Sequence, residues 1–168
     1  MSERAAAGAG LLAVYDEALP QVYGYLLSRC GQRAVAEDLT AETFLAAVDT
    51  ARDGRAVSVG WLIGVARHKL ADHWRRLARE ERGLSLVDAA AETDPWEQVL
   101  DAVTARAALR RLSPIHRLAL TLRYLDGLPV PEVARLLDRT LHATEALLVR
   151  ARAAFRRSYD LPGTEVER

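Results

Sequence analysis

An all-α protein, built as two small helical domains joined by an acidic flexible linker, is the fold predicted here. Three observations carry the prediction. Apolar residues recur at three- and four-residue spacing through most of the 168 residues, and no stretch alternates as a strand would. Leu, Ala and Arg, all good helix formers, are abundant, while aromatics make up only 6% of the chain. Between the periodic blocks, "GLSLVDAAAETDP" has no sustained period, carries only acidic charge and ends on a proline, which marks a connection.

Residues 1–10 are expected to be a disordered N-terminus. The first domain, 11–82, is an N-terminal helical bundle. Its first helix covers Leu11–Cys30, with Leu12, Tyr15, Leu19, Val22, Tyr23, Leu26 and Leu27 at helical spacing. Pro20 should kink or divide that helix, and Gly31 ends it. A second helix spans about Ala34–Thr50, with Val35, Leu39, Phe44, Leu45 and Val48 as its apolar positions. A polar loop, Arg52–Ser58, contains Gly54. The third helix, Val59–Arg82, starts apolar at Trp61, Leu62, Ile63 and Val65 and turns basic at Arg67, Lys69, Arg75, Arg76 and Arg79.

The linker occupies 83–95. The second domain, 96–159, is a four-helix domain. Its helices are Trp96–Leu112, then Pro114–Leu125 with Ser113 as N-cap and Pro114 in the first position. After a turn at Asp126-Gly127 come Val130–Leu137 and His142–Tyr159. Residues 160–168 form a tail.

A net charge of zero hides strong local fields. Residues 1–50 carry three basic and seven acidic groups, and residues 52–82 carry eight and four. Residues 84–104 hold five acids and no base, whereas residues 106–125 hold five arginines and no acid. Lys69 is the single lysine, so the basic surface consists of guanidinium forks suited to phosphates and base edges. Cys30 is the single cysteine, which excludes an intrachain disulfide, and its apolar neighbours mark it as a packing residue. No apolar run approaches the ~20 residues of a membrane span and the N-terminus lacks a secretory signal, so the expectation is a soluble cytoplasmic protein with no membrane insertion. His68, His73, His116 and His142 show no metal spacing, and no phosphate loop or nucleophile arrangement is visible. No metal, cofactor or catalysis is expected.

The segment from Gly127 onward raises a sharper question. A short helix, a break at Asp138-Arg139-Thr140 and a longer helix make the outline of a helix-turn-helix. Residues placed every 100° put Thr144, Leu148, Ala151 and Phe155 on one stripe. His142, Ala146, Val149, Arg150, Ala153 and Arg157 fall opposite, with Glu145 at a flank. Small residues near the start let a backbone approach a groove, and arginines further along reach phosphates. An amphipathic helix with a solvated basic side has the same pattern, and this segment leaves both readings open.

Three stretches in order add a resemblance. "AEDLTAETFLAAV" (Ala36–Val48), "WLIGVARHKLADHWRR" (Trp61–Arg76) and "LSPIHRLALTLRYLDGLPVPEVARLLDRTLHATEALLVRARAAFRR" (Leu112–Arg157) resemble the signatures of extracytoplasmic-function sigma factors, the smallest class of the sigma-70 family. The likeness covers roughly residues 11–158. It implies a bacterial initiation subunit, not an enzyme, that binds core RNA polymerase and promoter DNA. Its polymerase contacts would be the largest subunit's clamp helices and the flap region.

The resemblance assigns Asp38, Leu39, Glu42, Thr43 and Phe44 to polymerase binding, although Leu39 and Phe44 also suit a core. It assigns Trp61, Arg67, His68, Lys69, Asp72, Arg75 and Arg76 to the −10 element, with Trp61 again equally suited to the core and His68 standing where the family usually has Asn. It assigns Arg139, His142, Glu145, Ala146, Val149, Arg150 and Arg157 to the −35 element. The usual "TVKSR" is here "TEALL" (Thr144–Leu148), shifted by one, so that a basic residue becomes Glu145 and a later Arg becomes Leu147. A carboxylate accepts from a cytosine amino group, and Val149 suits a thymine methyl. In the family the acidic linker threads the RNA exit path, although a disordered solvated tether has the same composition, and an anti-sigma factor commonly holds the protein inactive. The rival expectation is a helix-turn-helix transcription regulator that acts without core polymerase.

Overall fold

The computed structural model describes residues 3–82 and 102–160, all helical apart from short connections. By contacts the chain divides into two units, Met1–His73 and Trp74–Arg168. That division falls inside the third helix rather than at its end. The linker expected at 83–95, the start of the helix expected from Trp96, and the tail beyond Asp160 lie outside the described residues.

The first unit contains α1 (Glu3–Cys30), α2 (Arg33–Arg52) and most of α3 (Val59–Glu81). Helix α1 begins at Glu3 rather than Leu11, so the described part of the expected disordered N-terminus is helical. The run "RAAAGAG" explains the extension, because alanine has the highest helix propensity and outweighs two glycines. Pro20 does not divide α1. It faces solvent. Gly31, at φ 67°, ends the helix in the left-handed region and donates to the Leu27 carbonyl at 2.9 Å. Two residues later α2 begins and packs along α1.

The core of this unit follows a four-residue spacing. Ala18, Val22, Leu26 and Cys30 are buried on α1, and Leu62, Ala66 and Leu70 on α3. Helix α2 contributes Ala36, Leu39 and Ala47, with Thr40, Thr43 and Thr50 buried among them. The hydroxyls of Thr40 and Thr43 donate to the carbonyls of Ala36 (2.6 Å) and Leu39 (2.7 Å), so neither is left unsatisfied. Small residues on the inner faces let α1 and α2 approach closely.

The second unit comprises α4 (Ala102–Arg111), α5 (Pro114–Leu120), a π-helical turn (Thr121–Leu125), α6 (Val130–Leu137) and α7 (Leu141–Tyr159). Helix α7 is its hub, because α4, α5 and α6 all pack on it. The Ser158 hydroxyl donates to the Ala108 carbonyl at 3.1 Å, and Arg111 reaches the Ser158 carbonyl at 3.4 Å, which ties the end of α7 to α4. The helix expected as Pro114–Leu125 changes type at Thr121, whose carbonyl accepts from Asp126 five residues on at 3.0 Å. Ser113 occupies the N-cap position of α5 without a side-chain cap bond.

Candidate nucleic-acid interface and docking face

The turn between α6 and α7 is set by two residues. Asp138 adopts φ 54°, ψ 49°, the left-handed conformation that closes α6, and the Arg139 N–H then donates to the Ala134 carbonyl at 3.0 Å. Thr140 follows in extended conformation, and its Oγ accepts from the Ala143 N–H at 3.1 Å, capping α7. The pair gives a break of three residues, as a helix-turn-helix requires.

Behind this turn α7 is anchored by Thr144, Leu147, Leu148, Ala151 and Phe155, all buried. The buried stripe is the one expected, with Leu147 added. Leu147, in the place of an arginine in the family pattern, is a core residue at 2% exposure. The opposite face opens outward. His142, Glu145, Val149 and Arg157 are exposed, and Ala146, Arg150 and Ala153 are half-buried. Arg139 is half-buried in the turn. Burial lowers its pKa, and like charges, Arg150 among them, add to the shift. The candidate −35 residues therefore share one face of one element, save Arg139, which precedes it. Two residues of this region escaped the sequence reading. Leu141, at the first position of α7, is 49% exposed. Arg152 is held by the Tyr124 hydroxyl at 3.0 Å, which links α7 to the π turn.

In the first unit, Ser58 caps α3 by accepting from the Trp61 N–H at 3.2 Å. The loop before it contains Gly54 at φ 77°. Trp61 is half-buried. Along α3, His68, Asp72, Arg76 and Arg79 are exposed, and Arg67, Lys69 and Arg75 are half-buried. Lys69 Nζ lies 3.7 Å from Glu42 Oε2. A candidate DNA residue of α3 is thus paired with a candidate polymerase residue of α2.

The five polymerase candidates on α2 separate by direction. Asp38 and Glu42 are exposed. Leu39 and Thr43 are buried, at 4% and 0%, and point into the core. The reason is periodic: residues 39 and 43 fall one turn apart on the inner face, with 36, 40 and 47 beside them. Phe44 is half-buried and meets Tyr15 of α1 edge-on, with ring centroids 5.0 Å apart. The two rings border an open groove of about 480 Å³ lined by Leu19, Pro20, Tyr23, Ala41 and Glu37 among others. Leu12 and Leu45 are also exposed large apolar residues on these helices. Tyr15 and Leu45 belong to the apolar spacing of their helices yet are exposed, because such spacing marks a helix face without saying whether that face is covered.

The fold and surfaces define a two-module helical protein of the helix-turn-helix class. Residues 14–80 match sigma-70 region 2, and residues 103–155 match sigma-70 region 4. The chain is 38% identical over 149 residues to the ECF RNA polymerase sigma factor BldN of Streptomyces coelicolor, spanning 82% of this chain and 56% of BldN. It is 34% identical over 147 residues to the ECF RNA polymerase sigma factor SigL of Mycobacterium tuberculosis, covering 80% of each. The same fold occurs in the sigma factor RpoE, solved in complex with the anti-sigma factor NepR from Bartonella quintana (TM-score 0.54, 20% identity, 88% of this chain and 94% of that one). The chain belongs to the extracytoplasmic-function sigma factors of the sigma-70 family.

Proposed function

We propose that the chain docks on core RNA polymerase through the first unit, reads −10 and −35 promoter elements, and promotes duplex melting at transcription start. It is an initiation subunit acting in the cytoplasm, with no catalytic step of its own. The observation that carries this reading is the coexistence, in one chain, of a region 4 helix-turn-helix with an uncovered outer face and a region 2 module with an uncovered docking face. A regulator that acts without polymerase needs only the former.

On α2 the docking surface is formed by Asp38, Glu42 and Phe44 with the Tyr15 groove, while Leu39 and Thr43 hold the helix in place from inside. On α3 the −10 contacts are Trp61, Arg67, His68, Lys69 and Asp72, with Arg75 and Arg76 on backbone phosphates. On α7, His142, Glu145, Ala146 and Val149 face base edges, and Arg139, Arg150 and Arg157 face the phosphates that flank them. An anti-sigma factor that covers the apolar groove and the basic faces is the natural inhibitor of such a protein.

Transcription from a promoter library with purified core polymerase, with and without the chain, tests the proposal. Promoter-specific RNA should appear only with the chain. Specific duplex binding that is unchanged by polymerase, with no RNA formed, would establish the regulator instead.

A further inference from the structure

The outer face of α7 contains a row that extends the family's assignment by one residue, Leu141. Leu141, Glu145 and Val149 recur at every fourth residue and so stack along one side of the helix. All three are exposed, Leu141 at 49% and Val149 at 39%. Leu141 stands directly after the Thr140 cap, at the N-terminal tip of the helix. The second unit does not cover it, although leucine gains more than most residues from burial.

A helix-turn-helix brings this same tip of its second helix against base edges in the major groove. The only apolar feature those edges present is the 5-methyl group of thymine. The row contains no cation, so it lacks the bidentate arginine contact to guanine, and its central member can only accept hydrogen bonds.

We propose that Leu141 is a specificity-determining residue of the −35 contact: it packs on a thymine methyl, and with Val149 it brackets the base pair whose amino group Glu145 reads. The proposal rests on the reading of α7 as the −35 helix. Eight residues separate Leu141 from Val149, about 12 Å along the axis. That distance corresponds to three or four base steps of about 3.4 Å. The favoured element therefore carries two thymines at that spacing with an amino-bearing base, cytosine foremost, between them. Ala146, on the neighbouring row, leaves room for the backbone to approach.

The test uses holoenzyme reconstituted from the full chain and core polymerase. Duplexes are selected from a library randomised across the −35 region, and in the selected sequence each thymine is replaced singly by deoxyuridine, which removes only the methyl. Wild-type holoenzyme should lose affinity about fourfold at each of two thymines, the effect of one buried methyl group. Leu141→Ala should bind thymine and uracil equally at one of these positions and keep discrimination at the other, and Val149→Ala should do the reverse. Uracil tolerated at every position, with promoter-specific transcription intact, overturns the methyl contacts while leaving the −35 reading in place. Discrimination that survives Leu141→Ala at both thymines overturns the role of Leu141. If no −35 preference emerges from the library at all, the reading beneath the proposal fails first. Urea unfolding of both variants confirms that the folded module is being compared.

Discussion

Thr140 and Asp138 show how much rests on single positions. The Thr140 hydroxyl satisfies the otherwise unpaired Ala143 N–H at the head of α7. Thr140→Ala should lower the stability of the second unit by about 1 kcal/mol, read as a shift of the urea midpoint with unchanged slope. Asp138 occupies a left-handed conformation that glycine adopts without steric cost. Asp138→Gly should raise that midpoint or leave it unmoved, and Asp138→Val should lower it, at a cost of more than about 1 kcal/mol in stability. Glu145 is the residue whose chemistry departs furthest from the family pattern. Glu145→Lys should change the preferred −35 sequence and steepen the salt dependence of promoter binding, since a further cation then meets the phosphates. An unchanged preference would remove Glu145 from the readout.

At the scale of the element, α2 divides its labour by face. Its inner face of small and threonine side chains packs the core, and its outer face carries Asp38 and Glu42. The Lys69–Glu42 pair joins that outer face to α3 at 3.7 Å, with both partners partly open to water. Such a pair contributes roughly 0.2–1 kcal/mol. Glu42→Gln should therefore weaken association with core polymerase several-fold while changing stability by less than about 1 kcal/mol, measured by competition for polymerase and by urea unfolding. By contrast, Leu26→Ala or Leu70→Ala removes a fully buried side chain and should cost about 2–5 kcal/mol.

The same element shows what the sequence could and could not disclose. The buried stripe of α7 was legible because Thr144, Leu148, Ala151 and Phe155 repeat with the helical period. The direction of Thr43 was not legible from the motif, since a signature records which residues recur and not which way they point, whereas the apolar spacing already offered Leu39 to the core. Leu147 looked like a lost arginine until its burial showed that the core claims it. The π turn at Thr121 left no periodic trace, because one inserted register step over five residues disturbs the pattern too little. The early start of α1 was missed because alanine contributes helix propensity without apolar contrast.

For the molecule as a whole, the zero net charge conceals a separation of charge along the chain. The first 50 residues carry seven acids to three bases, and α3 then brings cations. A partner with a basic surface and a polyanionic partner can thus be served by neighbouring helices of one unit. No helix among the described residues is long and apolar enough to cross a membrane. Under the proposed docking through the Tyr15–Phe44 groove, raising salt should weaken promoter binding steeply through α3 and α7 and polymerase docking less. Titration of holoenzyme assembly and of promoter binding across the same salt series would show the two slopes, and equal slopes would count against an apolar share in docking.

The burial of Cys30 has a practical use. The chain's lone thiol is closed off inside the α1 stripe, so maleimide dyes should ignore it in the native protein. A cysteine placed at Leu45 or Val103, both open to solvent, would then react alone. Fluorophores at those two sites would report by energy transfer how far apart the modules stand before and after polymerase is added, without first engineering away a native sulfur.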